Sequence, residues 1–301
     1  SVVTADASLP PPSPSYAALF PSCALRLLGQ QFGHSSRGIG VLFGHRRVPL
    51  PLPQTKMKRV RDDEVQPQEQ EVEEKTQREW LLQCPETYIG GLEASTWKIP
   101  IFSETGSEER SVTLSPGLVH LFLELLVNAL DNSFRDGSQR YIKADYDADQ
   151  GVLKVANDGP APPVDKLPGS DRYKISGCFG GFQCGSNFDQ SKQRTTSGKN
   201  GIGAAAANTF SLYTAVCVHN AASGVVFKQR WEKNMTIVHE PRIAPSSRKT
   251  NETEVVWRPD FSRFPLGEDP KAREDLGWAV HHLCHCLSLC APPKVRVYHN
   301  G

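Results

Sequence analysis

The stretch "LFLELLVNALDNSFRD", residues 121–136, decides how the chain is read. Leu118, Leu121, Phe122, Leu125, Leu126 and Ala129 recur at helical spacing, the pattern of a stripe that packs on a core. Glu124, Asn128, Asp131, Asn132 and Arg135 recur with the same period and form a second stripe beside the first. Surface faces of helices usually carry lysine and glutamate in quantity. This one is rich in asparagine and meets no lysine until Lys143. Two readings follow: an amphipathic helix with its polar side in water, or a helix whose polar side walls a site.

Composition narrows the classes of function. The chain has 301 residues and a formal net charge of +1, so overall charge announces neither nucleic acid nor membrane. No apolar run approaches the ~20 residues of a membrane span. The 8 cysteines follow no regular framework, which favours a reducing compartment over a disulfide scaffold. The sequence starts at Ser1 and stops at Gly301, directly after the strand-like "KVRVYHNG". Further machinery is expected downstream.

Three regions are expected along the chain. Residues 1–56 are rich in Pro, Ser, Leu and Arg, with Asp6 the only acid, and read as a disordered or organelle-targeting extension or as sequence upstream of a true start at Met57. Residues 57–74 read as an acidic linker or arm, preceded by a short basic run, "KMKRVR", that is a weak nuclear-targeting signal. Order is expected over 75–301.

Within that region a short helix should end before Pro85, and Ser115 and Pro116 should cap the long helix. "YIKADYD" and "VLKVAND" read as paired strands. "SLYTAVCVHN", "GVVFKQRWE", "TEVVWRPDF" and "KVRVYHNG" alternate like strands of a largely antiparallel sheet, and 269–290 reads as another helix. Helices grouped with hairpin-linked strands predict an α+β two-layer sandwich.

Three segments could carry chemistry. Glu124, flanked by Leu123 and Leu125, could activate water as a general base, and Asn128 one turn later offers a neutral oxygen to magnesium. "VANDGPAPPV" (155–164) is a strand running into a turn, where Asn157 could bond a planar base, although an Asn-Asp-Gly turn is also ordinary. "SGKNGIGAAAA" (197–207) frees backbone amides ahead of a helix, a cradle suited to a triphosphate, with Lys199 adding charge. His282, Cys286 and Cys290 share a helix face, but no second pair of ligands accompanies them, so core packing beside Trp278 and Leu283 is expected there.

Taken in order, these segments resemble the ATPase domain of the type IIA DNA topoisomerases, the eukaryotic topoisomerase II branch in particular, within the GHKL group. The resemblance runs from about Lys75 to Gly301 and rests on "KTQREWLLQCPETYIGG", "ELLVNALDN", "NDGPAPPV", "GSNFD", "GKNGIGAAAANTFS", "VVWRPDFSRF" and "KVRVYHNG". It implies a two-layer GHKL (Bergerat) sandwich, a mixed, mostly antiparallel sheet covered by helices on one face. It implies ATP and Mg2+ as cofactors, with Glu124 the general base and Asn128 the magnesium ligand. Asn132 and Arg135 would contact ribose and α-phosphate, Asn157 the adenine, and Ser186 and Asn187 would close over the sugar-phosphate. Gly198, Lys199, Asn200, Gly201, Ile202 and Gly203 would wrap the triphosphate. Double-stranded DNA, bound through a longer enzyme, and a second copy of the chain in an ATP-dependent homodimer are the implied partners, with no membrane. The nucleus is the implied location, a mitochondrion or other DNA-containing organelle the alternative.

Two positions depart from the resembled motifs. Ala161 replaces a glycine of the adenine turn, beside Pro162 in place of isoleucine, and Ala205 stands where a lysine follows Gly-Ala. Losing that ammonium would remove a contact of about 1.5–3 kcal/mol. A degenerate nucleotide-gated clamp or scaffold with little turnover is therefore the alternative to an active gate.

Overall fold

The computed structural model describes residues 2–3, 74–103, 106–182, 201–265 and 269–300. The expected extension and acidic arm lie outside the described residues, apart from Val2, Val3 and Glu74.

Among the described residues nine strands form one sheet. They are β1 (Val2–Val3), β4 (Tyr141–Asp147), β5 (Val152–Asn157), β6 (Ser211–Asn220), β7 (Val225–Glu232), β8 (Ile237–Val238), β9 (Arg242–Pro245), β10 (Glu252–Pro259) and β11 (Arg296–His299). The order is β1-β11-β4-β5-β10-β6-β7-β8, with β9 also on β7. All pairs are antiparallel except β11 with β4. Alternation along the strands explains the layering. Ile142, Ala144, Leu153, Val155, Val216, Val218, Val255 and Trp257 are buried on one face, while Lys143, Lys154, Lys228, Arg230 and Arg258 are exposed on the other.

The helices are α1 (Gln77–Gln83), α2 (Glu86–Ile89), α3 (Pro116–Ser133), α4 (Lys174–Gly180), α5 (Gly203–Thr209) and α6 (Pro270–Cys290). Ser115 caps α3 and Pro116 opens it, as expected. Phe122 meets Trp257 edge-on, ring centroids 4.7 Å apart, and so pins α3 to β10.

A separate hairpin, β2 (Ser95–Ser103) with β3 (Gly106–Leu114), was not foreseen. It packs on α6 through Ile99, Ile101, Val112 and Leu114 and through histidines. His282 Nδ1 donates to the Pro100 carbonyl at 2.8 Å, His281 Nε2 to that of Phe102 at 3.2 Å, and the His285 ring stacks on Phe102 at 3.9 Å. Cys286 Sγ lies 3.4 Å from His282 Nε2. Among the described residues no group of three or more His, Cys, Asp or Glu is placed to hold a metal ion. These side chains are a clamp on the hairpin, as core packing implied.

Burial lowers the His282 imidazole from 6.5 to about 4. Between those values the unfolded chain binds a proton that the folded chain refuses, so stability rises with pH across this window and is lost as pH falls through it. The gap corresponds to about 3 kcal/mol. Thermal melting temperatures should fall between pH 6.5 and pH 4, and His282→Gln should flatten that slope.

Candidate functional site

The helix α3 is buried over most of its surface, and its polar stripe is covered unevenly. Asp131, read as part of the polar stripe, is buried. Asn128 is the exposed member, Glu124 and Asn132 are half-buried, and Arg135 lies past the helix end on an exposed turn.

Glu124 is held from two sides. His120, one turn earlier, places Nε2 3.1 Å from Glu124 Oε1. Gly203, the first residue of α5, closes on the other oxygen: a Cβ there would sit 1.9 Å from Glu124 Oε2. Only a residue without a side chain lets the loop approach the carboxylate this closely. Gly203→Ala is expected to displace the carboxylate and to lower any turnover that depends on it by at least about tenfold, read as kcat. Just before it, Gly201 takes φ +59°, a left-handed angle that suits glycine.

The other end of the polar side meets the last residue of β5. Asn157 is buried, and its Oδ1 accepts from Asn132 Nδ2 at 2.9 Å and from the Gly159 amide at 3.3 Å. Asn132 Nδ2 also donates to the Pro160 carbonyl at 3.2 Å. The amide expected on a ribose thus braces the turn, leaving its oxygen for a ligand. Asp158 is purely a turn residue, its Oδ1 accepting from the amides of Arg140 at 2.8 Å and Tyr141 at 2.9 Å. Across the sheet from Asn157 stands Thr253, whose buried hydroxyl oxygen has no partner among the described residues.

His120 and Thr253 were missed by the sequence reading. Spacing of four from Glu124 could have found His120. Thr253 joins the site only through strand register. Ser186, Asn187, Gly198, Lys199 and Asn200 lie outside the described residues. Ala205 is fully buried in α5, so this position is packed core here. One wall thus brings together a carboxylate, an exposed amide, glycine backbone and a buried polar corner at Asn157 and Thr253.

Residues 113–260 match the family of histidine kinase-, DNA gyrase B-, and HSP90-like ATPases. The chain is 34% identical over 218 residues to DNA topoisomerase 2 of Candida albicans, covering 71% of this chain and 15% of that protein. It is 33% identical over 233 residues to DNA topoisomerase 2 of Arabidopsis thaliana, covering 77% and 16%. The solved ATPase region of Saccharomyces cerevisiae topoisomerase II superposes with a TM-score of 0.67 at 30% identity, over 76% of this chain and 60% of that one.

Residues 113–260 form a domain of the histidine kinase-, DNA gyrase B-, and HSP90-like ATPase family.

Within that family its similarity is to topoisomerase II, and the chain spans only 15–16% of the length of these curated relatives. The site fits the nucleotide such an ATPase takes. Thr253 offers an unpartnered buried hydroxyl beside Asn157, and the glycine loop leaves no side chain between itself and Glu124. For a divalent cation the donor set is spare, a single exposed amide oxygen at Asn128. That suits magnesium, which keeps waters and takes phosphate oxygens.

Proposed function

We propose that this ATPase is the ATP-hydrolysing gate of a type II DNA topoisomerase, which passes one DNA duplex through a transient break in another. The observation that carries the reading is Glu124, held between His120 and Gly203 one helical turn before Asn128. A carboxylate held at one oxygen and closely approached at the other by glycine backbone loses little orientational freedom when it accepts a proton from water. His120 holds Oε1 and keeps the free lone pairs directed at the loop. Asn157 and Thr253 seat the base, and Asn128 holds magnesium, which supplies charge neutralisation at the phosphates. The backbone from Gly198 to Gly203, with Lys199 and Asn200, wraps the triphosphate, Ser186 and Asn187 close over the sugar, and Arg135 meets the α-phosphate. In this reading ATP closes two copies of the chain into a dimer around DNA, in the nucleus or in a DNA-containing organelle.

A second reading, a nucleotide-gated clamp with little turnover, is favoured by one observation: buried Ala205 supplies no cation where the resembled motif has lysine. Calorimetry with a non-hydrolysable ATP analogue, with and without magnesium, tests the shared pocket. Binding should require magnesium and fall at least about tenfold in Asn128→Ala. No binding by a folded parent would sink both readings. Binding without steady-state ATP turnover would leave the clamp.

A further inference from the structure

Gln139 lies in the loop between α3 and β4, outside every segment assigned above, yet it is fully buried. Glutamine seldom occupies such a place without a full set of partners. Its Nε2 donates to the Ala129 carbonyl at 3.1 Å. A carbonyl only accepts, so Ala129 fixes which end of the amide it meets, and the oxygen is the end turned towards the Asn157–Pro160 turn. That oxygen has no hydrogen-bond partner among the described residues. It sits against Gly159: a Cβ there would lie 2.3 Å from Gln139 Oε1 and 2.6 Å from Asn132 Nδ2. The two amides therefore bracket the same glycine.

The chain of orientations continues into the site. Pro160 can only accept, so it fixes Asn132 with Nδ2 inward. Asn132 and the Gly159 amide then fix Asn157 with its oxygen towards them, which leaves the Asn157 Nδ2 as the donor offered to a ligand.

We propose that Gln139 is a positioning residue for nucleobase selection: wedged between α3 and Gly159, it holds the Asn132–Gly159–Asn157 array in the one arrangement that presents an amide donor to the base. The inference rests on the nucleotide reading above and deepens it. Adenine offers an accepting ring nitrogen beside its amine. Hypoxanthine carries a proton on that nitrogen and an oxygen at position 6. A loosened Asn157 amide can turn to suit either edge, so the cost of losing Gln139 is discrimination rather than binding as such.

The test is calorimetric. Non-hydrolysable ATP and inosine triphosphate analogues and inorganic tripolyphosphate are titrated into the parent, Gln139→Met and Gly159→Ala, with thermal melts alongside. The methionine keeps the length and removes the amide, and the alanine presses on the same contact from the opposite side. The expected result is an adenine preference that falls about tenfold in each variant, with tripolyphosphate affinity unchanged. Equal weakening of all three ligands would mark a merely structural role and overturn the proposal, as would an unchanged preference. If Gln139→Met loses its cooperative transition, Gly159→Ala decides on the same criterion. A parent that binds neither analogue overturns the nucleotide reading, and this inference with it. A parent that discriminates alongside variants that do so equally overturns this inference alone.

Discussion

Glu124→Gln is expected to abolish measurable ATP turnover while leaving ATP-analogue binding within a few-fold of the parent. The substitution keeps the shape and removes the group that accepts a proton. A positioned general base contributes about 10²–10⁴-fold, so kcat should fall by that factor. The clean separation follows from geometry: Oε1 faces His120 and Oε2 faces Gly203, and an amide of the same size fits between them. The measurement is steady-state hydrolysis next to calorimetric binding. Loss of binding in parallel with turnover would mean that Glu124 builds the pocket rather than acting on water. Unchanged turnover would remove it from the chemistry altogether. His120→Ala offers a graded comparison, because it frees one oxygen without touching the carboxylate. A partial loss of kcat with little change in KM is expected, since the carboxylate would have to find its orientation from a wider set.

Which of these contacts could be read from residues alone depends on how local they are. The α3 stripe was legible because glutamate and asparagines at helical spacing interrupt an otherwise apolar run, and the two-residue alternation of "YIKADYD" and "VLKVAN" placed β4 and β5. Asp131 shows the limit of periodicity: it shares the stripe's spacing, yet its end of the helix is covered. The β2–β3 hairpin was illegible for a different reason. Pro100 interrupts the short alternation of Trp97, Ile99 and Ile101 in one strand, and Glu108, Glu109 and Arg110 fill much of the other, where only Val112 and Leu114 are buried. Thr253 needed the register that puts it beside Asn157, a fact about two strands 96 positions apart (253 minus 157). Gly203 was read as part of an anion cradle. That it also closes on Glu124 is a tertiary contact, invisible in its own segment.

Phe122→Ala should destabilise the folded chain by about 3–5 kcal/mol, a large share of the stability of an ordinary domain. The ring is fully buried, edge-on to Trp257 at 4.7 Å and to Tyr146 at 5.8 Å. Trp257 in turn donates its Nε1–H to the Ala207 carbonyl at 2.7 Å. One aromatic contact thus ties together α3, β10 and α5, which carry Glu124, Thr253 and Gly203 respectively. Removing it leaves a cavity at the junction, and the helix can settle only by moving relative to the sheet. The consequence for function follows from tolerance: the Gly203 approach to Glu124 leaves no space for a single added carbon, so a shift of α3 by a fraction of an ångström changes that contact. Below its lowered melting temperature, Phe122→Ala should therefore also hydrolyse ATP more slowly than the parent, whereas Phe122→Leu, which refills most of the volume, should recover most of both losses. Denaturant unfolding and steady-state hydrolysis on the same preparations would separate the two. A variant that lost the stated stability yet kept full turnover when folded would show that the packing under α3 and the geometry above it are independent.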